Sequence, residues 1–324
     1  MRTSSVAHEL GVRAHGLAHP PEAPCACEPP RVLADRPDGT VVRSGPVVAK
    51  AHAADADREA LAARLALAAA PQLTGILLPP LRTPDARGAS DALGTTTRPI
   101  TLWPYGDPVD PADPDAAPWA AAAVLLARLH RAVPPSPLPP MRGPAKAARA
   151  VARMCAALPG DGDVLPVQAA WRALPAWARG EAAPPTARAG FLCHGDLHLG
   201  QLVRHPAPDG PWLLIDVDDA GRGDPAWDLA RPAAWYAAGV LPPEDWMLFL
   251  DAYRNAKGPA VPAEGDPWPQ LDVPARALTV QTAAVALVKC AAEGREPDEM
   301  EQSMIESCAR IATFPPELTA GPAS

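Results

Sequence analysis

The sequence is poor in aromatic residues, with three Phe and three Tyr beside nine Trp in 324 residues. Basic charge is short as well: 29 Lys and Arg stand against 37 Asp and Glu, a net charge of −8. Nucleic-acid binders neutralise phosphates with a basic stripe, so this balance argues against a nucleic-acid partner and suits a cationic small molecule better. No apolar run approaches the roughly 20 residues of a bilayer span, and residues 1–20 lack the apolar centre of a secretory signal. Those two absences point to a cytoplasmic protein with no membrane partner. A cysteine framework is missing too. Of Cys25, Cys27, Cys155, Cys193, Cys290 and Cys308, only the first two lie close together, and a lone C-x-C falls short of the paired ligands of a structural zinc site. The six read as reduced structural thiols.

What is present is a chain long enough for one large domain or two lobes, with 48% hydrophobic and 20% charged residues, in the globular range. Its 44 prolines fall in helices, loops and termini alike and carry no functional signal. Residues 1–30 have little periodic pattern and read as an irregular or weakly helical leader. From Arg31 to His52, short β-branched runs broken at Pro37-Asp38-Gly39 and Ser44-Gly45 read as a three-stranded antiparallel meander. Asp55–Ala70 has helical spacing with an aspartate cap, and Gly75–Leu78 and Pro99–Trp103 read as two further strands. Past residue 108 the texture turns helical: Ala117–Ala132, Lys146–Leu158 and Val167–Trp177, then Pro225–Ala238, Glu244–Asn255, Val273–Glu293 and Pro297–Ala312. Between these groups lie two short hydrophobic segments, Phe191–Cys193 and Trp212–Ile215, read as strands joined by a polar hairpin at Pro206–Gly210. The pattern gives an α+β architecture: an antiparallel sheet lobe over 31–103, a connection at 104–108 and a larger helical lobe over 109–324.

The chemistry-bearing stretches are Phe191–Leu202, FLCHGDLHLGQL, and Trp212–Leu229, WLLIDVDDAGRGDPAWDL. They resemble the catalytic loop H-G-D-x-x-x-x-N and the later metal-binding Asp and G-D-P-x-x-D-L segment of the aminoglycoside phosphotransferases. The choline and sugar kinases related to that family share its bilobal protein-kinase-like fold. The resemblance implies Asp196 as the catalytic carboxylate beside the acceptor hydroxyl, His194 as a support of its loop, and Asp216 with Gln201 as Mg²⁺ ligands. Gln201 stands where Asn is usual and offers the same amide oxygen on a longer stem. The spacing is sensible on physical grounds, because phosphoryl transfer asks a protein for one carboxylate near the attacking hydroxyl and hard oxygen ligands for the metal.

The resemblance also implies a strand lysine for the nucleotide phosphates, met by Lys50 in Val47-Val48-Ala49-Lys50, and a helix glutamate to orient it, met by Glu59. Adenine would be read by backbone groups around Trp103, Pro104 and Tyr105, and Pro37-Asp38-Gly39 would be a minimal phosphate loop. Asp218, Asp219 and Asp228 are candidates for the acceptor side, with Asp228 alternatively bracing the catalytic loop. The implied cofactors are ATP, with GTP left open, and Mg²⁺. The implied activity is phosphorylation of a hydroxyl on a small molecule. An aminoglycoside-like or other antibiotic comes first, a sugar or choline second, and a nucleotide-binding pseudokinase scaffold is the reading from another class.

Overall fold

The computed structural model describes residues 5–19, 28–36, 38–81, 98–160, 162–185 and 188–313. Cys25, Cys27 and Pro37 lie outside them. The chain forms two compact units: Met1–Pro111 with Gly200–Asp218, and Ala112–Leu199 with Asp219–Ser324. Residues 200–218 therefore group with the sheet unit, although they follow the catalytic loop in sequence.

The first unit contains α1 (Ser5–Ala18), β1 (Arg31–Arg36), β2 (Gly39–Ser44), β3 (Val47–His52), α2 (Arg58–Ala68), β4 (Ile100–Pro104) and β5 (Asp107–Pro108). The chain then enters the second unit with α3 (Trp119–Arg131), α4 (Gly143–Ala157), α5 (Val164–Ala173) and β6 (Phe191–Cys193). It returns to the first for β7 (Leu202–Arg204) and β8 (Trp212–Leu214). It ends in the second with β9 (Gly221–Gly223), α6 (Ala226–Ala237), α7 (Pro243–Asn255), α8 (Trp268–Glu293) and α9 (Glu299–Ala312).

Strands β1 to β4 form one antiparallel sheet in sequence order, and Lys50 pairs with Thr101 across β3 and β4. The strand alternation sends Val47, Ala49 and Ala51 into a core with Val42 on β2. That core is closed by α1, whose Ala7, Leu10 and Ala14 are buried against it. A helix thus occupies Ser5–Ala18 of the segment read as an irregular or weakly helical leader. The face is made of small residues at helical spacing, including Gly11, where an added Cβ would meet the Pro30 side chain at 3.0 Å.

The expected strand at Gly75–Leu78 is reduced to a single bridge, Leu77 with Leu214. The sheet accordingly has four strands rather than five. The polar hairpin joins β7 to β8, not β6 to β8, and β6 pairs instead with β9. In the second unit, α8 packs against α4, α6 and α9. At 26 residues α8 is long and apolar enough to cross a membrane by length and composition, which corrects the expectation that no segment qualifies. Two thirds of its most apolar window is buried inside the protein, so its hydrophobicity serves the core of the helical unit. Cys155, Cys193, Cys290 and Cys308 are free thiols.

Candidate active site

In the sheet unit, β3 holds Lys50 so that its ammonium lies 2.7 Å from Asp216 and 3.0 Å from Asp218. His52, two residues along and therefore on the same face of the strand, lies 3.0 Å from Asp218 through Nδ1 and 2.8 Å from the Thr101 hydroxyl through Nε2. Burial works against the charge on Lys50, but the two carboxylates outweigh it and hold its pKa well above the ordinary value. Burial likewise opposes ionisation of Asp218, and the bonds from His52 and Lys50 overcome it, keeping the carboxyl well below its usual range. Asp216 has φ of +61°, a left-handed conformation that a non-glycine residue adopts at a cost. That strained backbone directs its carboxylate to Lys50 and places it 3.5 Å from the Gln201 amide nitrogen.

These groups fit a hard divalent cation. Asp216 would supply a carboxylate, and Gln201 would supply an amide oxygen once its O and N are exchanged. A cation, the Lys50 ammonium, is already accommodated beside Asp216. Glu59 is not part of this cluster. Asp57 caps α2 so that the helix begins at Arg58, which leaves Glu59 exposed in the first turn while Leu61, Arg64 and Leu67 face inward. Lys50 takes its acidic partners from Asp216 and Asp218 instead. Arg36 pairs with Gly39, and the Pro37-Asp38-Gly39 stretch read as a phosphate loop includes Pro37, which lies outside the described residues.

The connection after β4 is more selective than the sequence implied. The Trp103 side chain is buried and donates to Thr101. The Tyr105 N–H donates to the Pro46 carbonyl, its own carbonyl accepts from His205, and Arg43 lies 3.4 Å over its ring. Both backbone groups of Tyr105 are therefore engaged. Pro104 has no N–H, but strand alternation turns its carbonyl to the edge of β4 where the Leu102 carbonyl accepts from Leu81. Among the described residues, the Pro104 carbonyl and the Gly106 N–H make no hydrogen bond outside the strand ladder.

In the helical unit, Asp196 follows β6 and is held from two sides. Arg231 on α6 donates to one carboxylate oxygen at 2.7 Å, and Lys146 on α4 lies 2.7 Å from the other. Lys146 also donates to Asp219 at 2.7 Å, with Arg142 3.5 Å from the same carboxylate. Burial raises the Asp196 pKa, but Lys146 and Arg231 more than offset it, so the carboxyl sits below its ordinary range. Gly195 has φ of +85°, and a Cβ there would come within 2.2 Å of the Asp219 carbonyl oxygen. Only glycine allows the loop to lie this close to the start of β9.

Asp228 is fully buried beneath this loop, accepting from the N–H groups of His194 at 2.6 Å and Gly195 at 2.7 Å. Nε2 of His130 on α3 lies 2.9 Å from the Asp228 oxygen that accepts from His194, and Nδ1 lies 2.7 Å from the Tyr253 hydroxyl on α7. Asp228 is therefore the brace of the loop, and its burial excludes the acceptor role. His194 has no exposed surface, and it acts through its backbone bond to Asp228. Desolvation, together with the charge of Arg231, pushes the His198 imidazole down to about 4.

The sequence motifs thus located Lys50, Asp216 and Gln201 in one cluster and Asp196 in another. They missed His52, His130, Lys146 and Arg231. His130 lies near the end of the helix expected over Ala117–Ala132, where nothing local sets it apart. Arg231 follows Asp228 by one helical turn, a spacing that puts both on one face of α6.

A sequence profile of a phosphotransferase enzyme family matches residues 40–268. No curated protein matches the chain by sequence. Among solved structures, a choline kinase from Streptococcus pneumoniae superposes with a TM-score of 0.59 at 14% identity, over 95% of this chain and 99% of that one. A choline/ethanolamine kinase family protein from Mesorhizobium loti gives 0.57 at 15% identity, covering 94% of each chain. A spectinomycin phosphotransferase in complex with ADP and spectinomycin gives 0.53 at 12% identity, over 90% of this chain and 91% of its own. The fold is the α+β protein-kinase-like fold of these kinases.

Proposed function

The chain belongs to the phosphotransferase enzyme family and acts on a hydroxyl of a small molecule, and on that premise we propose that it transfers the terminal phosphoryl group of ATP in the cytoplasm with Mg²⁺. The observation that supports this reading is the partly buried Lys50 ammonium held between Asp216 and Asp218, where a cation able to bind phosphate would stand beside a carboxylate able to ligate a metal.

Lys50 binds phosphate oxygens, and Asp218 and His52 fix where its ammonium sits. Asp216 and Gln201 would hold Mg²⁺, which when bound neutralises phosphate charge. Adenine presents an adjacent donor and acceptor on its edge, which the Pro104 carbonyl and Gly106 N–H complement. Asp196 accepts a hydrogen bond from the acceptor hydroxyl, because each carboxylate oxygen keeps a lone pair beyond its bond to Arg231 or Lys146. The new P–O bond forms as the bond to the leaving ADP breaks, and the hydroxyl proton passes to Asp196. A loose transition state demands little proton abstraction in advance, so a carboxylate of low basicity is adequate.

The test is ADP release across aminoglycosides, choline and sugars, with calorimetric titration of ATP·Mg²⁺ in parallel. Asp196→Ala should cut acceptor-dependent turnover by about 10²- to 10⁴-fold while nucleotide still binds. A wild-type chain that binds no ATP·Mg²⁺ would sink the reading. Binding without turnover on any acceptor would support the scaffold alternative instead.

A further inference from the structure

A small recess in the helical unit is lined by Gly143, Asp196, Trp227, Arg231, Leu278 and Gln281. It admits roughly one water-sized group, which is the size of a single hydroxyl. Gln281 on α8 is 8% exposed, and its amide makes no hydrogen bond with the described residues. The amide atoms are not among the fully enclosed unpartnered groups, so they keep access to a ligand group at the recess.

We propose that this recess is the docking point of the acceptor, that it takes the hydroxyl arm of a neutral, hydroxyl-rich molecule such as a sugar or polyol, and that Gln281 is its specificity-determining contact. The proposal rests on the phosphotransferase reading above and names the substrate class of that site. Three features carry it. The first is chemical matching, because an amide both donates and accepts and so pairs with a hydroxyl in either sense.

The second feature is charge. Asp196 is the only acid lining the recess, and it already lies between Lys146 and Arg231. The next acid, Asp219, is shared by Lys146 and Arg142. Three cations thus face two carboxylates, and a polyamine would bring ammonium groups against Lys146, Arg142 and Arg231 with no unpaired acid among these residues to receive them. The overall charge of −8 suggested a cationic guest, but the local balance beside Asp196 has the opposite sign. The third feature is the wall. Trp227 and Leu278 are buried apolar side chains that narrow the recess to a single hydroxyl-sized group, and Trp227 lies 3.0 Å from where a Cβ at Gly143 would stand.

The experiment compares glucose, maltose and myo-inositol with kanamycin and choline in an ADP-release assay on the full chain, beside calorimetric titration of ADP·Mg²⁺. Wild type should turn over a neutral member best. Gln281→Leu should raise KM for that member about 10-fold with little change in kcat or in ADP·Mg²⁺ affinity. Gln281→Met, close in volume, replaces it if the Leu variant does not fold. Gln281→Glu places an acid in the recess and should shift preference toward kanamycin. Faster turnover of kanamycin or choline by wild type overturns the acceptor class and leaves the phosphotransferase reading standing. So does nucleotide binding with no turnover of any neutral member, or an unchanged KM in the Gln281 variants. Loss of nucleotide binding in wild type overturns both readings.

Discussion

The Lys146 ammonium lies 2.7 Å from a carboxylate oxygen of Asp196, a contact made from a helix about fifty residues upstream of the catalytic loop. It holds that carboxyl below its ordinary range against the opposing effect of burial, in concert with Arg231. Asp196 therefore stays ionised, and activity should be present above its lowered pKa and lost as pH falls through it. Replacing Lys146 by Met leaves burial less opposed, so the acid limb of kcat/KM should move to higher pH. At neutral pH the misplaced carboxylate should lower kcat/KM by up to about 100-fold. A merely structural role for Lys146 would leave the acid limb where it was. The pH profile of acceptor-dependent ADP release, with Lys146→Arg as the conservative control, reads the difference.

Lys50 takes its partners from the segment after β8 rather than from α2, and the two candidates separate cleanly by mutation. Asp218→Asn removes the group bonded to both Lys50 and His52 and should destabilise the protein by about 1–3 kcal/mol. Glu59→Gln alters an exposed side chain and should stay within about 0.5 kcal/mol of wild type. Urea unfolding of the two variants is the measurement, and equal losses would restore Glu59 to the site.

Asp228 receives the His194 and Gly195 N–H groups and His130, so it needs acceptor capacity on both oxygens. Asp228→Ala strands buried donors and should cost about 3–5 kcal/mol. Asp228→Asn keeps the shape but turns an NH₂ toward one of these donors, whichever way the amide is placed, so it too should be destabilising, by less. Chemical denaturation of both variants checks the order. An Asn variant as stable as wild type would show that one oxygen suffices.

What the sequence made legible follows from how local each signal is. Lys50, Asp196, Gln201 and Asp216 sit in short motifs whose spacing fixes their place on a strand or loop. The long helices α6, α7 and α9 carry enough turns for periodicity to declare them within a few residues. Lys146 lies in an alanine-rich helix with nothing local to mark it, because its meaning comes from Asp196 and Asp219, far along the chain. Glu59 was named because the resemblance asks for a glutamate on the helix after the strand lysine, but a place on that helix does not say which acid the lysine reaches. Strands β7 and β9 have three residues each, too few for alternation to show, and the Gly221-Arg222-Gly223 run has no strand preference of its own. The α1 helix did carry the spacing Ala7, Leu10, Gly11, Ala14, but its small residues gave a weak hydrophobic signal beside the prolines that follow.

His198 supplies a test that needs no acceptor. Burial pushes its pKa to about 4, against an ordinary value of 6.5, so the folded protein keeps the imidazole neutral where the unfolded chain would protonate it. The stability linked to His198 is therefore complete above about pH 6.5 and is lost progressively as pH falls toward about 4, since over that window the unfolded state binds the additional proton. Between pH 7 and pH 5 this amounts to about 2 kcal/mol. Substituting His198 by Gln, which cannot titrate, should flatten that part of the curve of unfolding free energy against pH and leave the remaining acid dependence, from Asp196 and the other paired carboxylates, in place. Urea melts of wild type and variant at pH 7, 6 and 5 measure the difference directly. Parallel curves for the two proteins would mean that the imidazole takes up its proton in the folded state as readily as in the unfolded chain.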